Sequence, residues 1–541
     1  MIDGAFACSA DLPYPSVRPL VFGREMVATS QPLAAQAGLA MLARGGSAAD
    51  AAVATAAALT VLEPTTNGLG GDAFALVWDG ARVVGLNGSG RSPASLTRDR
   101  ISSRTFPTRG WLPVTVPGQI DAWRALHDRF GKLPFADLLA PAIDYAREGY
   151  MVAPQTAALW SKAAPMLSSG HEHAEAWKSA FLPSGAPPSA GELVRLPDHA
   201  RTLEHIAASK GRDFYEGELA RTIIAHAKAT GGLLAETDLR SHSSEWVEPI
   251  SASYRGARLH EIPPNGQGIA ALIALGILRH RDLAALSPDC PDALHLGIEA
   301  IKLGFAEAHA HVADSAHMRV SVASLLDDSV LAAHAARIDM QRAQDFGAGI
   351  PKPGGTVYLC AADASGMMVS MIQSNYTGWG SGIVIPGTGI AMQNRGACFS
   401  LAAGHANEVG PSKRPYHTII PAMLTRVGAR GEDLAGMAFG VMGGFMQPQG
   451  HLQVATRLID AHQNPQAALD APRWQWMESL RVQLEPGFAD ATVAELKRRG
   501  HEIAVADSRS VSFGRGQAIM KMPRGFLGAS DLRADGLVAA R

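Results

Sequence analysis

Apolar positions recur at helical spacing from Pro32 to Ala43, and the run stops at Gly45-Gly46. Ser47 then stands where a helix N-cap is expected, with Asp50 three residues on, the pattern of a reciprocal cap. The helix that follows runs to about Leu62 and is broken by Pro64. Ala73 to Trp78 and Arg82 to Leu86 read as short strands around Asp79-Gly80. From about residue 118 to 345 the chain reads as mostly helical, with Ala-rich amphipathic segments and Pro/Gly breaks. Leu182 to Pro197, rich in Pro, Ser and Gly, reads as a surface loop.

The pattern changes at Thr356, where strands with glycine turns take over. Thr356, Tyr358 and Cys360 face one side of the first strand, and Val357, Leu359 and Ala361 the other. Asp363-Ala364-Ser365-Gly366 is a turn sequence, and Met367 to Gln373 forms the next strand. Helices return at Gln449 to Ala461 and Asp490 to Arg499. Periodicity alone therefore gives a mixed α/β chain without repeats or low-complexity tails.

The 541 residues are 47% hydrophobic and 18% charged, which supports a large core and argues against disorder. A formal net charge of −2 gives no global attraction to nucleic acid or to an anionic membrane surface. The longest apolar segment, Ala48 to Leu62, contains Asp50 and several threonines and reads as a buried helix rather than a membrane span. Met1-Ile2-Asp3-Gly4-Ala5-Phe6 has neither a basic n-region nor an apolar h-region, so a cytoplasmic location is expected. Cys8, Cys290, Cys360 and Cys398 are widely spaced and read as reduced thiols.

The chemistry concentrates at Pro353-Gly354-Gly355-Thr356. Two glycines before a strand-initial threonine let the backbone bring the Thr356 hydroxyl onto the Gly355 carbonyl. Cleavage of that bond would leave Thr356 with a nucleophile and a base, its hydroxyl and its α-amine, on one residue. His171-Glu172-His173 and the trio His309, His311 and His317 lack a convergent ligand set, so no metal is expected. Gly378-Trp379-Gly380-Ser381-Gly382 does not lead into a lysine-bearing helix, and no Gly-x-Ser-x-Gly elbow occurs.

The strand–turn–strand from Thr356, followed by Ser374-Asn375-Tyr376-Thr377-Gly378, resembles the start of the small subunit of gamma-glutamyltranspeptidases. Further matches run in order along the chain: Gly45 to Ala54, Glu63-Pro64, Gly68-Leu69-Gly70-Gly71, Val116-Pro117-Gly118, Pro141-Ala142 and Ala146-Arg147-Glu148-Gly149. Gly410 to Pro415, Gly443-Gly444 and Gly528-Ala529-Ser530-Asp531 complete them. The resemblance implies a four-layer αββα sandwich of the N-terminal-nucleophile hydrolase type. It implies self-cleavage between Gly355 and Thr356 into a large subunit, 1–355, and a small one, 356–541, folded as one unit. A dimer of such pairs is left open.

By the same resemblance, Thr356 is the nucleophile, Ser374 its supporting hydroxyl, and Gly443 and Gly444 the oxyanion donors. Arg91, Asn375, Tyr376, Arg395, Cys398, His417 and Thr418 fall at substrate-binding positions. No cofactor is implied. The partners expected are a small-molecule amide and a water, amine or amino-acid acceptor, with neither nucleic acid nor membrane.

Several positions depart from the transpeptidase pattern. Tyr376 stands where an asparagine is expected, and His417-Thr418 replaces a serine pair. The acidic segment that would hold a substrate α-amine becomes Gln393 to Phe399, with Arg395 and Cys398 in it. The segment Phe399 to Pro415 is short. These changes resemble the acylase-like branch of the family, which includes cephalosporin-type and oxamate-hydrolysing members. Three readings follow: hydrolysis or transfer of γ-glutamyl-like acyl groups, an acylase on other amides, and an unprocessed binding protein.

Overall fold

The structure is a computed structural model of the chain and describes residues 1–169, 173–347 and 355–541. Two seven-stranded sheets lie face to face. The first runs Leu537–Ala540, Met26–Thr29, Gly355–Ala362, Met368–Tyr376, Asp72–Trp78, Val83–Gly88, Glu245–Val247. The second runs Val21–Gly23, Phe526–Ser530, Arg515–Lys521, Asp433–Met442, Ala422–Val427, Ala257–Glu261, Ile250–Tyr254. Every neighbouring pair in both sheets is antiparallel.

Strand alternation divides the side chains among three cores. Val357, Leu359 and Ala361 point outward, into a cluster shared with the helix Ala48–Leu62. Tyr358, Cys360 and Ala362 point inward, against Met423, Ala438, Met442 and Ile519 of the second sheet. On the far side Leu259, Leu424, Phe439 and Met520 pack against the helices Ile269–Leu278, Pro291–His311 and Met446–Ile459. Helix, sheet, sheet and helix make the four layers expected. The sheets approach closely at Gly440, where an added Cβ would come within 2.4 Å of the Tyr358 ring.

The helix Ala48–Leu62 is buried along its whole length, as its alanine content permits. The Ser47 hydroxyl accepts from Asp50 N at 3.1 Å and the Asp50 carboxylate accepts from Ser47 N at 2.8 Å, closing the capping box. Ala48 N also donates to Asp363, just past the end of the strand Gly355–Ala362, at 2.8 Å. Residues on both sides of the Gly355–Thr356 bond supply strands to both sheets.

The stretch 118–345 is mostly helical, as read, but also contains strands. Glu245–Val247, Ile250–Tyr254 and Ala257–Glu261 are edge or near-edge strands. Ile250 to Tyr254 has few large apolar residues, so packing against the second sheet rather than intrinsic pattern makes it a strand. The signal available was Arg255-Gly256, a two-residue turn with φ of 45° and 80° between paired Tyr254 and Ala257. Leu182 to Pro197 contains the two-residue strand Leu193–Val194 and ends on the first residue of the helix Pro197–Ser209, with irregular chain between. The four cysteines are free thiols. Among the described residues no helix is long and apolar enough to cross a membrane.

Burial holds His199, His260 and His309 down to a pKa of about 4 each. In the unfolded chain these rings take up protons from about pH 6.5 downward. Between that value and about 4 the unfolded state holds more protons, so stability falls as pH falls. The midpoint of thermal unfolding is therefore expected to drop through this window. A flat profile there would show that water reaches these rings.

Candidate active site

The pairing of Gly355–Ala362 with Met368–Tyr376 is irregular at one place. Gly355 faces Tyr376 and Val357 faces Gln373, so Thr356 opposes two residues, Ser374 and Asn375. This bulge re-aims the side chains at the strand ends. Thr356 is only 2% exposed and Ser374 is fully buried, whereas Gly355 is partly exposed. Thr356 Oγ1 lies 3.3 Å from Ser374 Oγ, and Ser374 Oγ donates to the Gly355 carbonyl at 2.5 Å. One serine hydroxyl thus touches both the threonine hydroxyl and the carbonyl of the adjoining peptide bond. Gly354 lies outside the described residues.

The Thr356 carbonyl is held by Arg515, whose Nη2 donates to it at 3.1 Å. Arg515 reaches across from the second sheet, and its Nη1 pairs with Glu63, just past the helix Ala48–Leu62, at 3.3 Å. The motif ending in Asp531 supports this arm. The Asp531 carboxylate accepts from Gly516 N at 2.8 Å and pairs with Arg473 at 2.6 Å and Arg533 at 3.0 Å. Sequence reasoning passed over Arg515, which no motif marks, and saw Glu63 only as part of Glu63-Pro64.

Gly443 and Gly444 follow the strand Asp433–Met442 with φ of 137° and 61°, conformations that favour glycine. They lead directly into the helix Met446–Ile459, whose first amides bond back to their carbonyls. The pair therefore lies at a helix N-terminus, where the backbone carries partial positive charge. Met442 pairs in register with Arg515, which brings this turn to the strand end that contacts Thr356.

A polar cluster surrounds Ser374. Arg395 is fully buried in a short turn, Arg395–Cys398. Its Nη1 donates to Thr418 Oγ1 at 2.7 Å, its Nη2 to Ser374 Oγ at 3.4 Å, and its guanidinium lies 4.5 Å from the centroid of the Tyr376 ring. Desolvation raises the Cys398 thiol above its ordinary pKa, although the charge of Arg395 and a hydrogen bond with Tyr376 pull it down. His417 Nε2 lies 3.1 Å from Asp72, which pairs in register with Ser374. Burial, and then the charge of Arg395, lower His417 to about 3, leaving it neutral near pH 7 despite Asp72. Burial also pushes Asp72 up, but the His417 hydrogen bond and the charges of His417 and Arg395 outweigh it and leave its carboxyl below the usual range. Asp72 additionally accepts from the amides of Gly90 and Gly118 and from Gln393. It too was missed in the sequence.

Asn375 Nδ2 donates to Ala391 O at 3.0 Å, and its Oδ1 is buried without a hydrogen-bond partner among the described residues. Glycines pack tightly here: a Cβ at Gly71 would come within 2.5 Å of that oxygen. Arg91 lies apart from this cluster. Its side chain is half-exposed and binds Asp314 at 2.7 Å and the Ser412 carbonyl at 3.2 Å.

The histidines of the sequence trio do not converge. His309 packs against Phe305, Tyr416 and Phe445, while His311 faces Glu307. His171 and Glu172 lie outside the described residues. His295, Glu299 and His501 do bring ligand-type atoms within 4.8 Å of one another. However, His295 already bonds His501 and the Asp339 carbonyl, and Glu299 holds Lys302 at 2.7 Å and the Gln344 amide. The nearby ammonium disfavours a dication, and the cluster instead anchors residues 339–344.

A family model, gamma-glutamyltranspeptidase, matches residues 34–541. The chain belongs to the gamma-glutamyltranspeptidase family. It is accordingly an enzyme of the N-terminal-nucleophile hydrolase type. It is similar to a crystal structure of cephalosporin acylase from Bacillus halodurans, with 49% identity, 98% of each chain covered and a TM-score of 0.92. It is 37% identical to the glutathione hydrolase-like YwrD proenzyme of Bacillus subtilis, over 95% of this chain and 98% of that one. It is 36% identical to the oxamate amidohydrolase proenzyme of Klebsiella pneumoniae, over 94% and 96%. These relatives place it among the divergent, acylase-like members of the gamma-glutamyltranspeptidase family.

Ser374→Ala removes the hydroxyl shared by Thr356 and the Gly355 carbonyl. It is expected to slow any self-cleavage at Gly355–Thr356 by roughly 10²–10³, the cost of deleting one oxyanion-type donor. A time course on denaturing gels checks this. Processing at the wild-type rate would show that the bridge is incidental.

Proposed function

We propose that this enzyme is a self-processing threonine amidohydrolase, with Thr356 as the nucleophile in both maturation and turnover. The observation that carries the reading is the Ser374 hydroxyl, 3.3 Å from Thr356 Oγ1 and 2.5 Å from the Gly355 carbonyl oxygen. In maturation Thr356 Oγ adds to the Gly355 carbonyl carbon and the peptide C–N bond breaks, giving an ester. Water then opens the ester, leaving a carboxylate on Gly355 and a free α-amine on Thr356. The proenzyme names of the relatives support this step.

In turnover the α-amine, with a reference pKa of about 7.7–8.0, takes the hydroxyl proton as Thr356 Oγ adds to the substrate carbonyl. The same proton passes to the departing amine. Water, or an amine acceptor, then takes the acyl group from the threonine ester. Arg515 fixes the Thr356 carbonyl and so orients the nucleophile. Gly443 and Gly444, at the start of the helix Met446–Ile459, are the candidate oxyanion donors.

For the acyl group, acylase chemistry on a non-glutamyl amide is favoured over γ-glutamyl transfer. An acid that would hold a glutamyl ammonium is replaced by Cys398, beside the cation of Arg395. The similarity to cephalosporin acylase over 98% of the chain agrees with this. An unprocessed binding protein is the rival of another class, and a denaturing gel separates it by showing one intact band.

N-terminal sequencing of the smaller fragment is expected to read Thr-Val-Tyr-Leu, and Thr356→Ala to remain a single chain. Any other start would assign the nucleophile elsewhere. Gly444→Val adds a side chain at φ 61° in the proposed oxyanion turn. It is expected to reduce kcat by roughly 10²–10³ with the fold retained by circular dichroism. Undiminished turnover in a normally folded variant would remove Gly444 from that role.

A further inference from the structure

Two consecutive glycines have the least intrinsic restraint of any residues, so the Gly443-Gly444 turn needs holding from outside. The helix it leads into supplies part of the hold. The Gly443 carbonyl accepts from Met446 N at 3.0 Å, and the Gly444 carbonyl from Gln447 N at 3.2 Å. N–H and C=O point opposite ways across a trans peptide, so the first of these bonds aims the Gly444 amide away from the helix. A second hold comes from Gln267, which lies between the strand Ala257–Glu261 and the helix Ile269–Leu278 and is fully buried. Its Nε2 donates to the Gly444 carbonyl at 2.9 Å and to the Thr418 carbonyl at 2.6 Å, which uses both N–H groups. Its Oε1 accepts from the Tyr416 hydroxyl at 3.3 Å. A flipped amide would set its oxygen against two carbonyl oxygens, so this orientation is the one the site allows.

The surroundings pin the glutamine in turn. Gln267 N donates to the His417 carbonyl at 3.0 Å, and His417 N donates to the Asn265 carbonyl at 2.8 Å. The Tyr416 ring stacks on Phe445, the residue after Gly444, at a centroid distance of 6.0 Å, and His309 meets both rings edge-on. Thr418, whose carbonyl shares the amide, takes the Arg395 bond at its hydroxyl, and Arg395 reaches Ser374. One side chain thus ties the candidate oxyanion turn to the wall that carries the neighbours of Thr356.

Resting on the threonine-amidohydrolase reading, we propose that Gln267 is a positioning residue for turnover, setting the Gly443-Gly444 amides for the substrate oxyanion, and that maturation does not depend on it. In the uncut chain the Gly355 carbonyl is held by Ser374 at 2.5 Å, and the side chain of Gln267 bonds to Gly444, Thr418 and Tyr416 instead. The two reactions of Thr356 therefore draw on different donors, and only the second feels the glutamine.

The test compares wild type, Gln267→Met and Tyr416→Phe. Methionine keeps the length of glutamine and has no N–H. The first readout is the rate at which the smaller fragment appears on denaturing gels, expected to be unchanged in both variants. The second is kcat and KM on γ-glutamyl and glutaryl p-nitroanilide, per mole of freed Thr356. Gln267→Met is expected to lower kcat by about tenfold to a hundredfold, less than outright loss of a donor, with KM within about twofold of wild type. Tyr416→Phe only loosens the amide and should lower kcat by about threefold to tenfold. The third readout is methylboronic acid, which becomes a tetrahedral anion when Thr356 Oγ adds to boron. Its dissociation constant, followed by boron-11 NMR, should rise by the factor by which kcat falls, and it decides alone if neither anilide is turned over. Wild-type kcat and boronate affinity in Gln267→Met would overturn the proposal, and so would equal losses in maturation and turnover. If Gln267→Met does not fold, Tyr416→Phe decides by the same comparison. A wild-type protein that stays one chain and takes no boronate would instead end the threonine-amidohydrolase reading, and this role with it.

Discussion

One helix holds both ends of the strand that carries the candidate nucleophile. The amide of Ala48 binds Asp363, just beyond the strand's last residue, and Glu63 reaches Arg515, which holds the carbonyl of Thr356 near its first. The fifteen residues of Ala48–Leu62 span about 22 Å as a helix. The eight residues of Gly355–Ala362 span about 26 Å as a strand, so the two match in length. With the helix buried along its length and the strand buried beyond Gly355, neither slides without breaking a polar contact at an end.

The site inherits its geometry from that fixed strand. The bulge opposite Thr356 turns Ser374 toward it, and register pairing sets Asp72 beside Ser374. Contributions converge from both sheets: Ser374 and Asp72 from the first, Arg515 and the Gly443-Gly444 turn from the second. Both halves of the sandwich contain residues from before and after Gly355, so the proposed cut would leave the two fragments interleaved. The unusual chemistry lies in charge. A neutral histidine and a buried arginine share this space with one ionised, hydrogen-bonded aspartate, whose carboxyl the arginine's charge helps to hold down.

Much of this was legible in the chain. The Ser47–Asp50 cap, the limits of Ala48–Leu62, the alternation from Val357 to Ala361 and the candidate status of Thr356 follow from local patterns, while Ser374 was marked by the family resemblance. Such features depend on neighbours a few residues apart. The strands Ile250–Tyr254 and Ala257–Glu261 were hidden because an edge strand takes its conformation from the sheet it joins. Arg515 was hidden because its meaning lies 159 residues away, at the carbonyl of Thr356.

The sequence by itself determined the mixed α/β character and, through motifs in order along the chain, the family, because turns, caps and periodicity are written in short range. Only the tertiary structure decided which charges meet. Arg91 and Arg395 look alike in the chain, yet one is half-exposed and paired with Asp314 while the other is fully buried against Thr418, Ser374 and Tyr376. Burial and pairing are properties of the assembled space around a side chain, and those set its electrostatic cost and hence its use.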